Sequence, residues 1–458
     1  MIDLVRSEST HTEVEAFLAK HPDTEFVEAF LVDLNGIPRG KRLPGSALRR
    51  IFDAGINLPA STIVLDVWGH DVEASGLIFD TGDADHPCLP VPGSLRPLPW
   101  GQRRAAEVLL SMQTPGGQPF GGDPRNVLAS VVGRFTAEGL TPVVATELEF
   151  RLFQGELGDN GAPQMPSRLR RHGNQSQLYG LEELDSLEEL FVDVERACEA
   201  QGLPTDTVIA EYEDGQYEIN LRHVPDPLLA ADQTVLLKRT IKAVARRHGL
   251  IASFMAKPFG NQAGNGMHVH VSLLDDSGRN VFAAPEGGTG ERLLHAVGGL
   301  AATMMESTAV FAPHANSFRR FQAEAHVPLA PTWGHDNRTT ALRIPLGKPD
   351  ASRIEHRVAG ADANPYLVLA AVLGGIHHGM TGRLAPPPET EGNAYAQHKP
   401  TLPDDWGWAL EAFEQSNFVR EYLGADCQRL FSACKRQERD RFQRTVPRIE
   451  YDTYLGTI

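Results

Sequence analysis

Four short stretches of the 458-residue chain set carboxylates, imidazoles and guanidiniums two residues apart. In 143–152, Glu147 and Glu149 alternate with Val144, Leu148, Phe150 and Leu152. In 216–222, Gln216, Glu218, Asn220 and Arg222 alternate with Tyr217, Ile219 and Leu221. In 267–273, His268, His270 and Ser272 oppose Met267, Val269, Val271 and Leu273. In 353–358, Arg353, Glu355 and Arg357 share one parity. Successive side chains of a strand point to opposite faces, so each stretch predicts a strand with one polar and one apolar face. A wet face is ordinary in an antiparallel sheet. A wet face of Glu, His and Arg, rather than Lys, Ser and Thr, is less ordinary. If the four faces line one cavity, the carboxylates raise each other's pKa and cost stability unless cations neutralise them. Carboxylate oxygens with an imidazole suit hard divalent ions, Mg²⁺ or Mn²⁺. Arg320, Arg338, Arg343, Arg353 and Arg357 all fall within a short stretch, and guanidinium forks hold phosphate and carboxylate bidentately. Ions and arginine clamps together are the apparatus of phosphoryl transfer. Spacing alone therefore predicts a Mg²⁺-dependent phosphoryl-transfer enzyme on an antiparallel sheet.

The elements around these strands predict an α+β protein of two parts. Residues 26–33 alternate loosely and end at Asn35-Gly36, a hairpin signal. A helix is expected over 47–54 and short strands around 63–68 and 76–80. Pro87, Pro90, Pro92, Pro97 and Pro99 punctuate the stretch from 87 to 99. This reads as a small β-rich domain over 1–115. Gly116-Gly117 and Gly121-Gly122 mark a boundary, and Asp123-Pro124 is a helix start, with Asp as cap and Pro in the first turn. The larger domain, 116–458, alternates strands with helices over 181–201 and 228–248. Asp275-Asp276-Ser277-Gly278 reads as a turn between two strands. The apolar run 366–376 is too short to span a bilayer and reads as a buried helix. Pro386-Pro387-Pro388 opens a loop to about Asp405, and a helical tail completes the chain.

Composition closes off several classes. A formal net charge of −16 argues against general attraction to nucleic acid or anionic lipid. Cys88, Cys198, Cys427 and Cys434 form no CxxC pair and read as reduced thiols of a cytoplasmic protein. Residues 1–20 lack the apolar core of a signal peptide. The Gly-rich 286–290 lacks the Lys and Ser/Thr of a P-loop and reads as a flexible loop, and no GxGxxG stands between a strand and a helix.

The motifs resemble those of the glutamine synthetase family. Gly264-Asn265-Gly266-Met267-His268-Val269-His270 is similar to its loop-and-strand signature, and Asn316-Ser317-Phe318-Arg319-Arg320 to its NSYKR motif. Asn337-Arg338 with Arg343-Ile344-Pro345, and Arg353-Ile354-Glu355-His356-Arg357 with Ala363-Asn364-Pro365-Tyr366, resemble its NRxxxxRIP and RIExR…ANPY segments. Glu147-Leu148-Glu149 and Gly215-Gln216-Tyr217-Glu218 match its ExE and GQxE strands. The matches run in order across about 120–370, and the N-terminal region resembles the family's β-grasp domain. The resemblance implies a barrel-like antiparallel sheet. It implies one metal site of Glu149, Glu211 and Glu218 and another of Glu147, His268 and Glu355. Glu213 and Asp214 are also acidic, so the Glu211 role could fall two residues on. Arg320 and Arg357 would hold the glutamate carboxylate and the transferred phosphoryl group. Arg338, Arg343 and Arg353 would surround the ATP phosphates, with His270 and Ser272 nearby, and Gly264 would contact glutamate. The cofactors implied are ATP and two or three Mg²⁺ or Mn²⁺ ions per site. The partners implied are glutamate, a nitrogen nucleophile and further copies of the chain, in a dodecamer of two hexameric rings whose sites are completed by the neighbouring β-grasp domain.

Two departures from the family pattern concern the nucleophile. The acidic flap position of ammonium-using members is taken by His326, in Gln322-Ala323-Glu324-Ala325-His326-Val327-Pro328. The DGSS motif has no counterpart beyond Leu58-Pro59-Ala60-Ser61. Losing two partly desolvated carboxylates weakens a cation pocket. An amine, unlike ammonium, has a carbon chain that can supply binding elsewhere, and a histidine can take its proton. The pattern resembles the γ-glutamylpolyamine (γ-glutamylputrescine) synthetase branch, as does the C-terminal Val446-Pro447-Arg448-Ile449-Glu450-Tyr451. It points to an ATP-dependent ligase joining the glutamate γ-carboxylate to an amine, a polyamine such as putrescine, in amine catabolism. The alternatives are an ordinary glutamine synthetase and a non-catalytic scaffold.

Overall fold

The structure, a computed structural model, describes residues 12–158, 161–166, 178–284, 289–322 and 327–458. Most of the Gly-rich 286–290 segment and His326 lie outside them. Two sheets organise the chain. The first has six strands in the order β2-β1-β6-β4-β3, with β5 also on β6. They are β1 (Phe26–Val32), β2 (Pro38–Pro44), β3 (Ile56–Pro59), β4 (Asp85–Pro90), β5 (Arg96–Pro97) and β6 (Ala105–Met112). The expected hairpin is present as the antiparallel pair β1–β2. Its turn is built by the side chain of Asp33, whose Oδ1 accepts from the N–H groups of Asn35 and Ile37, both at 2.9 Å. Gly36 supplies the positive φ of 74° that the turn requires. The strands expected around 63–68 and 76–80 are absent. Ala60–Val64 is a 3₁₀ helix, and Asp66 Oδ1 bends the chain by accepting from the N–H groups of Trp68 and His70. Gly76 at φ 71° ends another short helical turn. The apolar side chains there, Ile63 and Val64, are buried without forming a strand.

The second sheet runs β12-β13-β14-β11-β7-β9-β8, with β10 on β7. Its axis is β7 (Leu140–Gln154). The other members are β8 (Thr205–Ala210), β9 (Gln216–Leu221), β10 (Leu250–Ser253), β11 (Met267–Asp275), β12 (Trp333–His335), β13 (Leu342–Ile344) and β14 (Ile354–His356). One face is apolar: Val144, Leu148, Phe150, Leu152, Tyr217, Ile219, Met267, Val269 and Val271 are all buried. Each such side chain contributes about 1.5–3 kcal/mol of burial. That face packs beneath the helices Pro124–Ala137 and Pro227–Arg247, and the helix Pro365–Gly382 packs in turn against both. All three begin alike, with Asp123, Asp226 or Asn364 accepting from first-turn N–H groups and a proline next. The last is the expected buried helix, and no described helix is long and apolar enough to cross a membrane. The single helix expected over 181–201 is two, Leu181–Asp185 and Glu188–Gln201. The turn after β11 leads only to an isolated bridge, Leu274 to Asn280. All four cysteines are buried and free.

The two sheets are tied by buried polar groups. Asn364 Nδ2 donates to the Asp33 carbonyl at 2.9 Å. The helix Ala425–Arg444 sends Lys435 and Glu438, both fully buried, against the hairpin turn. Their salt bridge is 2.9 Å long. Asn35 Nδ2 donates to Glu438 Oε1 at 2.9 Å, and Lys435 Nζ donates to Asn35 Oδ1.

Candidate active site

Register brings the four predicted polar faces together. Glu147 lies opposite His268 on one side and Asn220 on the other, and Glu149 opposite Glu218. Glu355 lies opposite His270 and Arg343. A cavity of about 720 Å³ opens on this face. Of the predicted residues, Glu147, Glu149, Glu211, Glu218, Gly264, His268, Arg320, Arg338, Arg343, Glu355 and Arg357 line it. Three do not. His270 stands just behind, its Nε2 2.8 Å from Glu147 Oε1, and Arg353 Nε is 3.3 Å from His270 Nδ1. Ser272 sits further along β11, paired with Val143.

Among the described residues, two groups of ligand atoms lie within 4.8 Å of one another: Glu147, His268 and Glu355, and Glu149, Glu218 and His268. The first is the predicted set. The second shares Glu149 and Glu218 with prediction but takes His268 in place of Glu211. Glu211 lines the same cavity. Glu213, the competing acid, has Oε1 engaged by the Ala263 N–H at 2.8 Å.

The charges fall into two halves. On one side, burial and then the neighbouring Glu147, Glu149 and Glu211 push Glu218 up to about 9. Burial and then Glu211 push Glu149 up to about 7. On the other, burial is overruled. Hydrogen bonds from His268 and His270 hold Glu147 well below the usual carboxylate range. Glu355 is also held low, chiefly by Arg357. Arg357 Nη1 donates to Glu355 Oε1, and Arg343 Nη1 to Oε2 at 2.6 Å. Crowded, buried carboxylates whose pKa is raised by one another, with an imidazole among them, are a donor set that fits a hard divalent ion.

Basic groups lie directly beside these acids. Arg320 is buried; its Nη1 donates to the Val358 carbonyl at 2.7 Å, and its Nε has no partner among the described residues. Arg357 Nε is also unpaired. Both arginines line the cavity, and guanidiniums held at its wall suit an anion. Gly264 touches this wall: a Cβ there would meet Arg320 Cγ at 2.8 Å and the Ala256 carbonyl at 2.5 Å. The mouth is lined by Leu178, Tyr179, Ile209 and Tyr212. Sequence reading missed Arg151, Lys257 and Gln262 near the glycine loop. Arg151 had a signal, since it continues the alternation of Glu147 and Glu149.

Residues 121–454 match the glutamine synthetase catalytic domain. The chain belongs to the glutamine synthetase family, and its fold is that of the family, mixed helix and sheet with a nearly closed, barrel-like sheet. It is an ATP-dependent ligase that joins the γ-carboxylate of glutamate to an amine. Among characterised relatives it is 39% identical to gamma-glutamylputrescine synthetase PuuA of Escherichia coli, over 97% of this chain and 94% of that one. It is 32% identical to glutamate–isopropylamine ligase of a Pseudomonas species, over 83% of each. Among solved structures it superposes on the GmaS/ADP complex with a TM-score of 0.83 at 28% identity, covering 96% of this chain and 98% of that one.

Proposed function

We propose that the amine is a polyamine such as putrescine and that the ligase opens its catabolism. What carries the reading is one cavity joining a carboxylate–imidazole cluster to four arginines, alongside the likeness to the putrescine enzyme. The domain division at 115/116 belongs to the same reading, as does a cytoplasmic location.

In this reading, the first set, Glu147, His268 and Glu355, and a second set of Glu149 and Glu218 with Glu211 would hold two or three Mg²⁺ or Mn²⁺ ions. Bound there, the ions would neutralise phosphoryl charge. Arg338 and Arg343 orient the ATP phosphates from the cavity wall, with Arg353 and His270 behind them, whereas Ser272 lies beyond reach. Arg320 and Arg357 hold the glutamate carboxylate in line with the γ-phosphoryl group. Transfer gives γ-glutamyl phosphate and ADP. The amine lone pair then attacks the acyl carbon, phosphate leaves, and a base removes the amine proton. His326 is the proposed base. Arg357 serves both steps, because charge develops on phosphoryl oxygens in each. Ser61 lies away from this chain's cavity, its hydroxyl 2.6 Å from Asp83 Oδ1. A neighbouring copy in a dodecamer of two hexameric rings is the proposed cover for the cavity mouth.

The test is phosphate release from ATP with glutamate and Mg²⁺, offering ammonium, monoamines and diamines in parallel. Release with putrescine at concentrations where ammonium gives little is expected. Saturable release with ammonium alone would make the chain an ordinary glutamine synthetase. No release with any nucleophile would leave the scaffold reading.

A further inference from the structure

The loop 262–266, between β10 and β11, is held from every side, and most of the side chains that hold it are used by none of the site assignments. Arg151, fully buried on β7, donates from Nη1 to Gln262 Oε1 and from Nη2 to the Ala263 carbonyl at 3.0 Å. Glu213, in the connection between β8 and β9, accepts from the Ala263 N–H at 2.8 Å. Lys257 Nζ donates to the Gln262 carbonyl. Gln216 Nε2 donates to the Gly264 carbonyl at 3.0 Å. The N–H groups of Asn265 and Gly266 are spent on the Ala256 carbonyl and on Glu149 Oε2. From Gln262 to Gly266, the Gly264 N–H is the one backbone donor without an acceptor among the described residues. Gly264 lines the cavity beside Arg320.

We propose that Glu213 and Arg151 are positioning residues for the carboxylate substrate. They grip Ala263 from both sides: the carboxylate takes its N–H, in the 262–263 peptide, and the guanidinium its carbonyl, in the 263–264 peptide whose N–H is that of Gly264. Both polar groups of Ala263 are consumed, so the loop cannot turn them toward the cavity. The Gly264 N–H is left as the donor addressed to substrate. This inference rests on the proposed glutamate–amine chemistry for the identity of the ligand, but the clamp itself is independent of which amine reacts.

Substitutions at Glu213 test it, because that side chain lies on a partly exposed connection whose loss spares the core. Glu213→Ala removes the acceptor for Ala263. Glu213→Gln keeps an oxygen there and removes only the charge. In the full-length enzyme with ATP, Mg²⁺ and a reactive amine, Glu213→Ala should raise the KM for glutamate roughly tenfold. The KM for the amine should move much less, and Glu213→Gln should restore most of the loss. Equal damage from both variants, or a glutamate KM that neither moves, overturns the proposal. A rise in amine KM without a rise in glutamate KM does the same. Glutamate binding measured by calorimetry with Mg²⁺ and a non-hydrolysable ATP analogue gives the same comparison if no offered amine is turned over. Wild-type inactivity would count against the proposed reaction, whereas a wild-type-like Glu213→Ala would count against the clamp.

Discussion

Among the buried carboxylates of this molecule, those of two regions stand on opposite terms. Behind the hairpin turn, Glu438 is fully buried beside a fully buried Lys435. Burial works against its charge, but Lys435 and then His314 outweigh it and hold the carboxyl well below the usual range. In the cavity, Glu149 and Glu218 are crowded by other acids, and their carboxyls rise. One region neutralises its acid within the chain. The other leaves acids for something from solution to neutralise. Buried charge therefore marks function here only where the chain supplies no partner of its own.

This contrast predicts which substitutions cost activity and which cost folding. The largest effect is expected for Glu355→Ala, which removes a candidate ion ligand and the partner of Arg357 and Arg343. Phosphate release should fall about a thousandfold, roughly 4 kcal/mol of transition-state stabilisation, while circular dichroism still reports a folded protein. Turnover within tenfold of wild type would break the assignment of the acidic half.

Lys435→Met should do the reverse. It strands Glu438 and costs about 3–5 kcal/mol of stability, read as a lower midpoint in urea. The double variant with Glu438→Met should recover most of that, since an apolar pair of similar volume leaves no orphan charge. A single variant as stable as wild type would erase the contrast.

The smallest effect is in pH dependence, and the two regions should differ in sign. Glu149 at about 7 and Glu218 at about 9 stand above the unfolded value of 4.5. In chelator, the folded state then binds more protons than the unfolded state across that window. Stability should fall as pH rises through it, by up to about 1.4 kcal/mol per pH unit for each of the two groups. Mg²⁺ should flatten the slope, as a ligand that binds only the folded state does. Glu438, depressed below its unfolded value, contributes stability that is present above the unfolded pKa and lost as pH falls through the folded one. Melting temperatures across pH, with and without Mg²⁺, separate the two signs. A chelated protein that gains stability toward alkaline pH would contradict the crowding of the acids.

Much of the site was legible because a strand's period of two survives any tertiary arrangement. Glu147 and Glu149, Gln216 and Glu218, and His268 and His270 each announced a shared face, and pairing register then set those faces side by side. What the period cannot carry is distance along the strand. Ser272 has the parity of His268, yet lies too far down β11 to reach the cavity. Length and turns were harder still. Ile63 and Val64 are apolar and β-branched, but Asp66 ties its oxygen to two downstream N–H groups and bends the chain before a ladder can form. β3, with a polar Asn57 and a terminal Pro59, has no periodic signal and exists because β4 pairs with it. Glu211 is placed by β8 and the tight connection after it, which no alternation reveals.

The knot between Asn35 and Lys435 also sets a clock. Its two ends are 400 residues apart in the chain. At about 5–20 residues per second of synthesis, the first hairpin leaves the ribosome roughly 20–80 s before its partner helix exists. Until then Asn35 and the groove beside it face whatever else the cell offers. The nascent first sheet is thus a window for chaperone capture, and its closure is among the last events in making the molecule.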